Sequence, residues 1–166
     1  MLAIEAGDID LTEEDQIPER TLQTIVRELC GLFVNIRDDK VYLVHQTAKE
    51  FLQQEQDIST GAPSSVWEHS FHPPQSHYTM ALTCITYLGF NVFETQPLMN
   101  TGERLTSKIV DLYTSAHPFL TYASCYWAMH YNLSKREHDL LVLSINICNT
   151  ASKKIPNMVS YLLNPI

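Results

Sequence analysis

Apolar residues near the start of the chain recur with the spacing of a helix. In residues 18–31, PERTLQTIVRELCG, these apolar positions share one helical face: Leu22, Ile25, Val26 and Leu29. Pro18 precedes the pattern and Gly31 follows it, as is typical of the positions that flank a helix. The segment is predicted to form an amphipathic helix.

The pattern then changes to the alternation that is typical of β-strands. LFVNIR (32–37) and KVYLVH (40–45) alternate, and the pair Asp38-Asp39 separates them, so they predict a β-hairpin. Helical spacing returns over residues 47–54. Its apolar face consists of Ala48, Phe51 and Leu52. A helix, a hairpin and a helix in this order form the outline of a winged-helix domain, with the hairpin as its wing.

Helical patterns dominate the rest of the chain. Residues 55–75 are rich in Ser, Pro and Gly and predict a connecting loop. Four segments with helical spacing follow: 76–90, 103–114, 117–131 and 137–151. A last turn or two is expected after Pro156, in NMVSYLL. In the first of the four, one stripe contains Ala81, Leu82, Cys84, Ile85 and Leu88.

These elements predict a mostly α protein in which a winged helix with a small β-hairpin wing precedes an α-helical bundle. We expect a winged-helix domain over residues 1–57, a linker loop over 58–76 and a helical domain over 77–166. No internal repeat is evident, so the sequence does not predict a complete solenoid.

The net charge of −8 is concentrated in the first third of the chain. Residues 1–57 contain thirteen acidic and five basic side chains, whereas residues 58–166 contain six of each. A winged helix that binds DNA presents basic side chains to the phosphates, but here the charges of the first predicted helix and of the wing cancel. Nucleic-acid binding is therefore disfavoured. We expect the acidic lobe formed by residues 1–57 to face a basic surface of a partner domain.

Composition also bears on the cellular location. No apolar run approaches the roughly 18 residues of a membrane helix, and the N-terminal MLAIEAGDIDL lacks the basic region of a targeting signal. The four cysteines are scattered without a CxxC pair, each on the apolar side of a predicted helix: Cys30, Cys84, Cys125 and Cys148. These cysteines predict buried thiols in a reduced cytoplasmic protein. Because no apolar run is long enough, we expect no membrane partner.

Residues with catalytic or metal-binding potential occur without the motifs that would use them. WEHSFHPPQSH (67–77) offers His69, His72 and His77, but two prolines interrupt the spacing, and a histidine-rich loop without a metal is the preferred interpretation. The chain has no G-x-S-x-G elbow and no GxxxxGK[ST] loop. We therefore predict no catalytic residue, no metal, no cofactor and no enzyme activity.

The segment HPFLTYASCYWAMHY (117–131) is dense in aromatic residues. Its large rings are predicted to lie in the core of the helical domain: Tyr122, Tyr126, Trp127 and Tyr131. His117 and His130 are predicted to be histidines with satisfied hydrogen bonds at a packing edge, not catalytic groups.

His45 stands where the second predicted strand meets the following helix. A histidine in this position could be a catalytic group, a metal ligand, a phosphate contact or a packing residue. The residues themselves do not choose between a contact to an anion at the helix N-terminus and a hydrogen bond to nearby backbone.

The segment ELCGLFVNIRDDKVYLVHQTAKEFL (28–52) resembles the winged-helix module, of the GPI inositol-deacylase type, that follows the NACHT domain in fungal NOD-like receptors. HYTMALTCITYLGF (77–90) and HPFLTYASCYWAMHY (117–131) resemble the helical segment that leads from that module to ankyrin or other repeats. The N-terminal MLAIEAG resembles the tail of the helix that normally opens the module, so this first helix is expected to be incomplete.

The resemblance implies a non-catalytic regulatory module of a STAND-class switch ATPase. In related NTPases a Met-His-Asp signature at the strand-to-helix joint senses bound ADP, and Val44, His45 and Gln46 match it here. His45 would be the nucleotide-sensing residue, in the presence of an NTPase domain. Gln46 replaces the aspartate, so the capping role of that position is not carried over.

The implied partners are a NACHT-type NTPase domain, in cis or in trans, and helical or ankyrin repeats. The alternative that the sequence leaves open is a free-standing protein–protein interaction adaptor or a degenerate fragment. The oligomeric state, the ligand and the downstream effector are not specified by the sequence.

Overall fold

The computed structural model describes residues 18–38, 40–53, 67–98, 106–135 and 138–149. Among these, the residues up to Gln75 belong to one compact unit and those from Ser76 onward to a second. Residues 1–17, residues 54–66, which include the first part of the predicted linker loop, and the last turns expected after Pro156 lie outside the described residues. The acidic N-terminal run falls among them.

In the first unit, helix α1 covers Glu19–Cys30 and begins directly after Pro18, as its apolar spacing predicts. Leu22, Ile25 and Val26 are half-buried, but Leu29, predicted on the same face, is 66% exposed. The helix ends at Gly31, where an added Cβ would lie only 2.2 Å from the carbonyl oxygen of Arg27. A side chain at this position would force the backbone apart, which explains the glycine.

The hairpin consists of strand β1 (Val34–Arg37) and strand β2 (Lys40–Leu43), which pair in antiparallel register from Val34↔Leu43 to Arg37↔Lys40. The turn contains no glycine. Instead, Asp38 takes up the left-handed conformation, with φ 49°, that tight hairpin turns require and that aspartate tolerates better than most residues. The predicted hairpin is thus confirmed.

Helix α2 (Gln46–Gln53) follows, and three aromatic side chains join it to the root of the hairpin. Phe33, which precedes β1, stacks on Phe51 of α2 with ring centroids 5.9 Å apart and also contacts Trp67 at 6.0 Å. Backbone N–H groups of His69 and Phe71 donate to carbonyls at the end of α2, at 3.0 and 2.9 Å. Leu52 is buried, and Ala48 and Phe51 are half-buried, so the predicted apolar face of α2 is confirmed.

The remaining elements are helices: α3 (Pro73–Leu88), the single turn α4 (Val92–Thr95), α5 (Ser107–Ala116), α6 (Leu120–Leu133) and α7 (His138–Ile147). The fold class predicted from the sequence is therefore confirmed: the protein is mostly helical, with a small antiparallel hairpin followed by helices. Helix α3 begins three residues before the predicted start, because Pro73 and Pro74 occupy its first turn, where missing N–H groups cost nothing. His77 lies on this helix, within the segment 76–90 that the sequence predicts to be helical.

The core of the second unit forms around one buried ring, that of Tyr87. Its centroid lies 5.3 Å from each of three other rings, those of Phe90, Phe93 and Phe119, with edge-to-face geometry. The apolar stripe of α3 predicted from the sequence is part of this core: Ala81, Cys84, Ile85 and Leu88 are at most 1% exposed. Leu82 of the predicted stripe is half-buried.

The prediction that the aromatic residues of α6 form the core is wrong. Tyr122 is 37% and Tyr126 45% exposed, while Trp127 and Tyr131 are half-buried. The buried face of α6 consists of Leu120, Ala123, Ser124 and His130. Small residues on that face let the helix approach the core closely, and the space for large rings is already taken by Tyr87 and its neighbours.

The cysteines also differ from the prediction. All four are free thiols, but only Cys84 is buried; Cys30 is half-buried, and Cys125 and Cys148 are exposed. Burial raises the pKa of the Cys84 thiol to about 12, so this residue is an inert part of the core. Among the described helices, none is long and apolar enough to cross a membrane.

The hydroxyl of Tyr87 is buried and has no hydrogen-bond partner among the described residues. Tyr87→Phe should therefore raise the free energy of unfolding, by about 1 kcal/mol, because the unpaired hydroxyl loses its solvation on folding. Urea denaturation measures this change. The matched control is Tyr113→Phe, which removes a hydroxyl that donates to the carbonyl of Gln96 at 2.8 Å and should be neutral or destabilising. A loss of stability in Tyr87→Phe would show that the Tyr87 hydroxyl forms a stabilising hydrogen bond in the folded protein.

Candidate functional site

His45 occupies the joint between β2 and α2, as the sequence predicts, and its surroundings can now be specified. The hairpin pairing continues one residue past β2, since the N–H of Val44 donates to the carbonyl of Phe33 at 2.8 Å. The chain then turns directly into α2. His45 itself is exposed, at the surface of the first unit.

The His45 ring caps the N-terminus of α2. Its Nδ1 accepts a hydrogen bond from the backbone N–H of Thr47 at 3.3 Å and lies 3.1 Å from the Thr47 hydroxyl. The carbonyl of His45 accepts from the N–H of Ala48 at 3.0 Å, which is the first hydrogen bond of the helix. A side chain that accepts from the second helical residue is an N-cap, so the imidazole does here what Ser, Asn or Asp does in most helices.

This arrangement determines which ring nitrogen is available to a ligand. Because Nδ1 accepts from a backbone N–H, the neutral ring carries its proton on Nε2. Within the described part of the chain, Nε2 of His45 contacts no other polar group. It is therefore a hydrogen-bond donor that points away from the cap, next to a helix N-terminus that favours anions.

A polar hollow of about 380 Å³ runs along α2 from the residue after His45, lined by Gln46, Lys49, Glu50 and Gln53. Gln46 lies 3.5 Å from Glu50 across one helical turn, so its side chain points along the helix and takes no part in the cap. The only cation of the hollow, Lys49, lies one turn beyond His45. The joint can therefore accept a hydrogen-bonding anion.

A second concave surface lies on the first unit where α1 meets β1. Residues 27–33 and Trp67 line a groove of about 330 Å³ at the turn between α1 and β1. Leu29 and Leu32 are 66% and 87% exposed, and the indole of Trp67 is 49% exposed. Apolar side chains left in water around a groove are typical of a surface that another protein covers.

The loop histidines proposed as metal candidates do not come together. Across the residues that the structure describes, no three His, Cys, Asp or Glu side chains form a group that could hold a metal ion. His69 and His72 precede α3, whereas His77 lies on the helix and contacts a residue of α6. The spacing in WEHSFHPPQSH therefore does not translate into a shared site.

Sequence reasoning found His130 but missed its partners. His130 is 6% exposed; its Nδ1 lies 2.8 Å from Nδ1 of His77, and its Nε2 lies 2.9 Å from the hydroxyl of Tyr122. Its hydrogen bonds are satisfied, as predicted, but the residue is buried and not at an edge. The spacing of His130 seven residues beyond Ala123, on the same helical face, is the signal that could have indicated burial.

Comparison of the chain with protein-family models, with curated proteins and with solved structures finds no match.

The capping role of His45 is testable apart from any ligand. His45→Ala should lower the free energy of unfolding of the first unit by roughly 0.5–1 kcal/mol, because the N–H of Thr47 loses its acceptor, whereas His45→Asn should retain most of the stability. Urea denaturation followed by Trp67 fluorescence measures both variants in a Trp127→Phe background. Equal stability of the alanine and asparagine variants would show that the ring is not a cap.

Proposed function

We propose that this protein is a non-catalytic regulatory and interaction module of a NACHT-type STAND NTPase of the NOD-like receptor kind. It couples the nucleotide state of an NTPase domain, present in cis or in trans, to C-terminal helical or ankyrin repeats. The family resemblance of residues 28–52 supports this proposal, together with the surface of the first unit. The four free thiols are compatible with a cytoplasmic location.

The observation that carries the proposal is the amount of apolar surface that the first unit leaves uncovered. Strand β2 is exposed along its whole length, and Val41, Leu43 and Val44 are 55%, 44% and 58% exposed. Among the described residues of this unit, Leu52, 7% exposed, is the only buried apolar side chain. A unit with this much exposed apolar surface gains stability when it packs against a second surface, as is expected of a domain that works inside a larger assembly.

The charge of the same unit favours a protein partner over a nucleic acid. Its described segments, 18–38, 40–53 and 67–75, contain five basic and five acidic residues, so the exposed strand is not set in a basic surface. Duplex binding relies on such a surface, whereas an exposed apolar edge strand favours contact with another protein.

His45 supplies the link to nucleotide. The N-cap contact with Thr47 holds the ring with Nε2–H directed outward, and an NTPase domain docked on this face would present the phosphate of ADP to that donor. Such a contact forms in one domain arrangement and is broken in the other. A differential contact of this type is what shifts a population between two states.

The role of the exposed strand is tested by binding. The probe is a purified fungal NACHT-type NTPase domain with bound ADP, titrated with the full chain by isothermal calorimetry. Val41→Glu should weaken binding at least about tenfold, because a charge replaces an apolar contact. Asn35→Glu, at an exposed polar position of β1, is the matched control and should bind like the unmodified chain. Equal affinities of the two variants would contradict the proposal.

The role of His45 is tested with the same probe. His45→Asn keeps a cap for α2 but shortens the side chain, so the variant should remain folded and lose the difference in affinity between the ADP-bound and nucleotide-free NTPase domain. Retention of that difference would show that His45 does not sense the nucleotide, even if the domains bind. Circular dichroism of the variant confirms that its helices are intact.

A further inference from the structure

Two neighbouring residues near the start of α3 each hold one of the later helices. His77 contacts His130 near the end of α6, with the two Nδ1 atoms 2.8 Å apart. The next residue, Tyr78, donates a hydrogen bond to the carboxylate of Asp139 at the start of α7. The junction between α6 and α7, where Lys135 adopts a left-handed φ of 66°, is thus fastened to α3 from both sides.

The hydrogen bond between His77 and His130 depends on how many protons the two rings carry. A hydrogen bond between two Nδ1 atoms needs one N–H and one lone pair, so it forms between two neutral rings. One added proton on the pair still leaves an N–H on one facing nitrogen and a lone pair on the other, so the bond stays in place. A second added proton puts an N–H on both facing nitrogens, and two cationic rings then meet at 2.8 Å.

We propose that the His77–His130 contact is a proton-sensitive clasp, which holds the end of α6 against α3 at neutral pH and releases it in acid. The clasp lies wholly in the second unit and is independent of the proposed function. The rings of His77 and His130 are 5.1 Å apart at their centroids, and Tyr122 completes the chain of hydrogen bonds on the far side of His130.

The groups around His130 do not compensate its charge. In the described part of the second unit, no carboxylate pairs with it, since Asp139 is engaged by Tyr78 and by the N–H of Leu140. The titratable groups that contact His130 are His77 and Tyr122, and those next to Tyr122 are Cys84 and Tyr126. Burial and, secondly, the charge of His77 lower the pKa of His130 below the ordinary value of 6.5. The folded protein therefore binds fewer protons than the unfolded chain just below that value.

The sign of the pH effect follows. Because the pKa of His130 is lower in the folded state, stability is fully present above pH 6.5 and falls as the pH decreases below it. The Tyr78 hydrogen bond lowers the pKa of Asp139, so the second contact persists where the first is lost. Acid thus releases α6 from α3 before it releases α7.

The test uses the full chain with Trp67→Phe, so that Trp127 on α6 is the only tryptophan. The folding equilibrium constant from urea denaturation should fall by up to about tenfold per pH unit below roughly pH 6.5, the slope for one proton. His130→Gln should remove most of this dependence. His138→Gln, at an exposed histidine at the start of α7, is the control and should keep it.

NMR titration of the histidine Cε1–H resonances of the unmodified chain decides the question even if the His130 variant does not fold. The His130 resonance should titrate below the ordinary histidine range. An unchanged pH slope in His130→Gln, or a His130 ring that titrates at or above its ordinary pKa, would overturn the proposal.

Discussion

Burial of one face of α3 is the constraint on which the second unit depends. Tyr87 provides the central ring, against which Phe90, Phe93 and Phe119 pack, and each of these lies on a different part of the later chain. At the other end of the same helix, His77 and Tyr78 fix the ends of α6 and α7 that meet at their junction. Helix α3 thus packs its apolar face into the core and forms hydrogen bonds to α6 and α7 near its start. The short helices around it, which would be unstable alone, gain stability from these contacts.

The first unit differs from the second in that it leaves much of its apolar surface exposed. Three of its aromatic rings, Phe33, Phe51 and Trp67, join the hairpin to α2, but seven other large apolar side chains among its described residues are exposed. The free energy of this unit is consequently sensitive to whatever covers it, because each apolar side chain removed from water contributes roughly 1.5–3 kcal/mol. The proposed regulatory function would use this property, because docking on a partner would change the stability of the unit.

Two histidines illustrate how local geometry assigns different chemistry to the same side chain. His45 is exposed and uses one nitrogen to cap a helix, which leaves the other nitrogen as a donor toward solvent. His130 is buried with both nitrogens occupied, so its protonation competes with the packing of α6. The first is suited to contact a ligand held by another domain, and the second can report on pH within its own unit.

The sequence by itself determined the type and order of the longer elements, though not the single turn α4, because hydrophobic spacing records which face of each segment leaves water. It predicted α1, the hairpin, α2 and the buried stripe of α3, and it placed His45 at the joint. It did not determine which side of α6 faces inward, since that helix is apolar on several sides and its periodicity is ambiguous. Only the tertiary structure decided this, by filling the core with Tyr87 and its neighbours and by bringing His77 to His130 across 53 residues of chain.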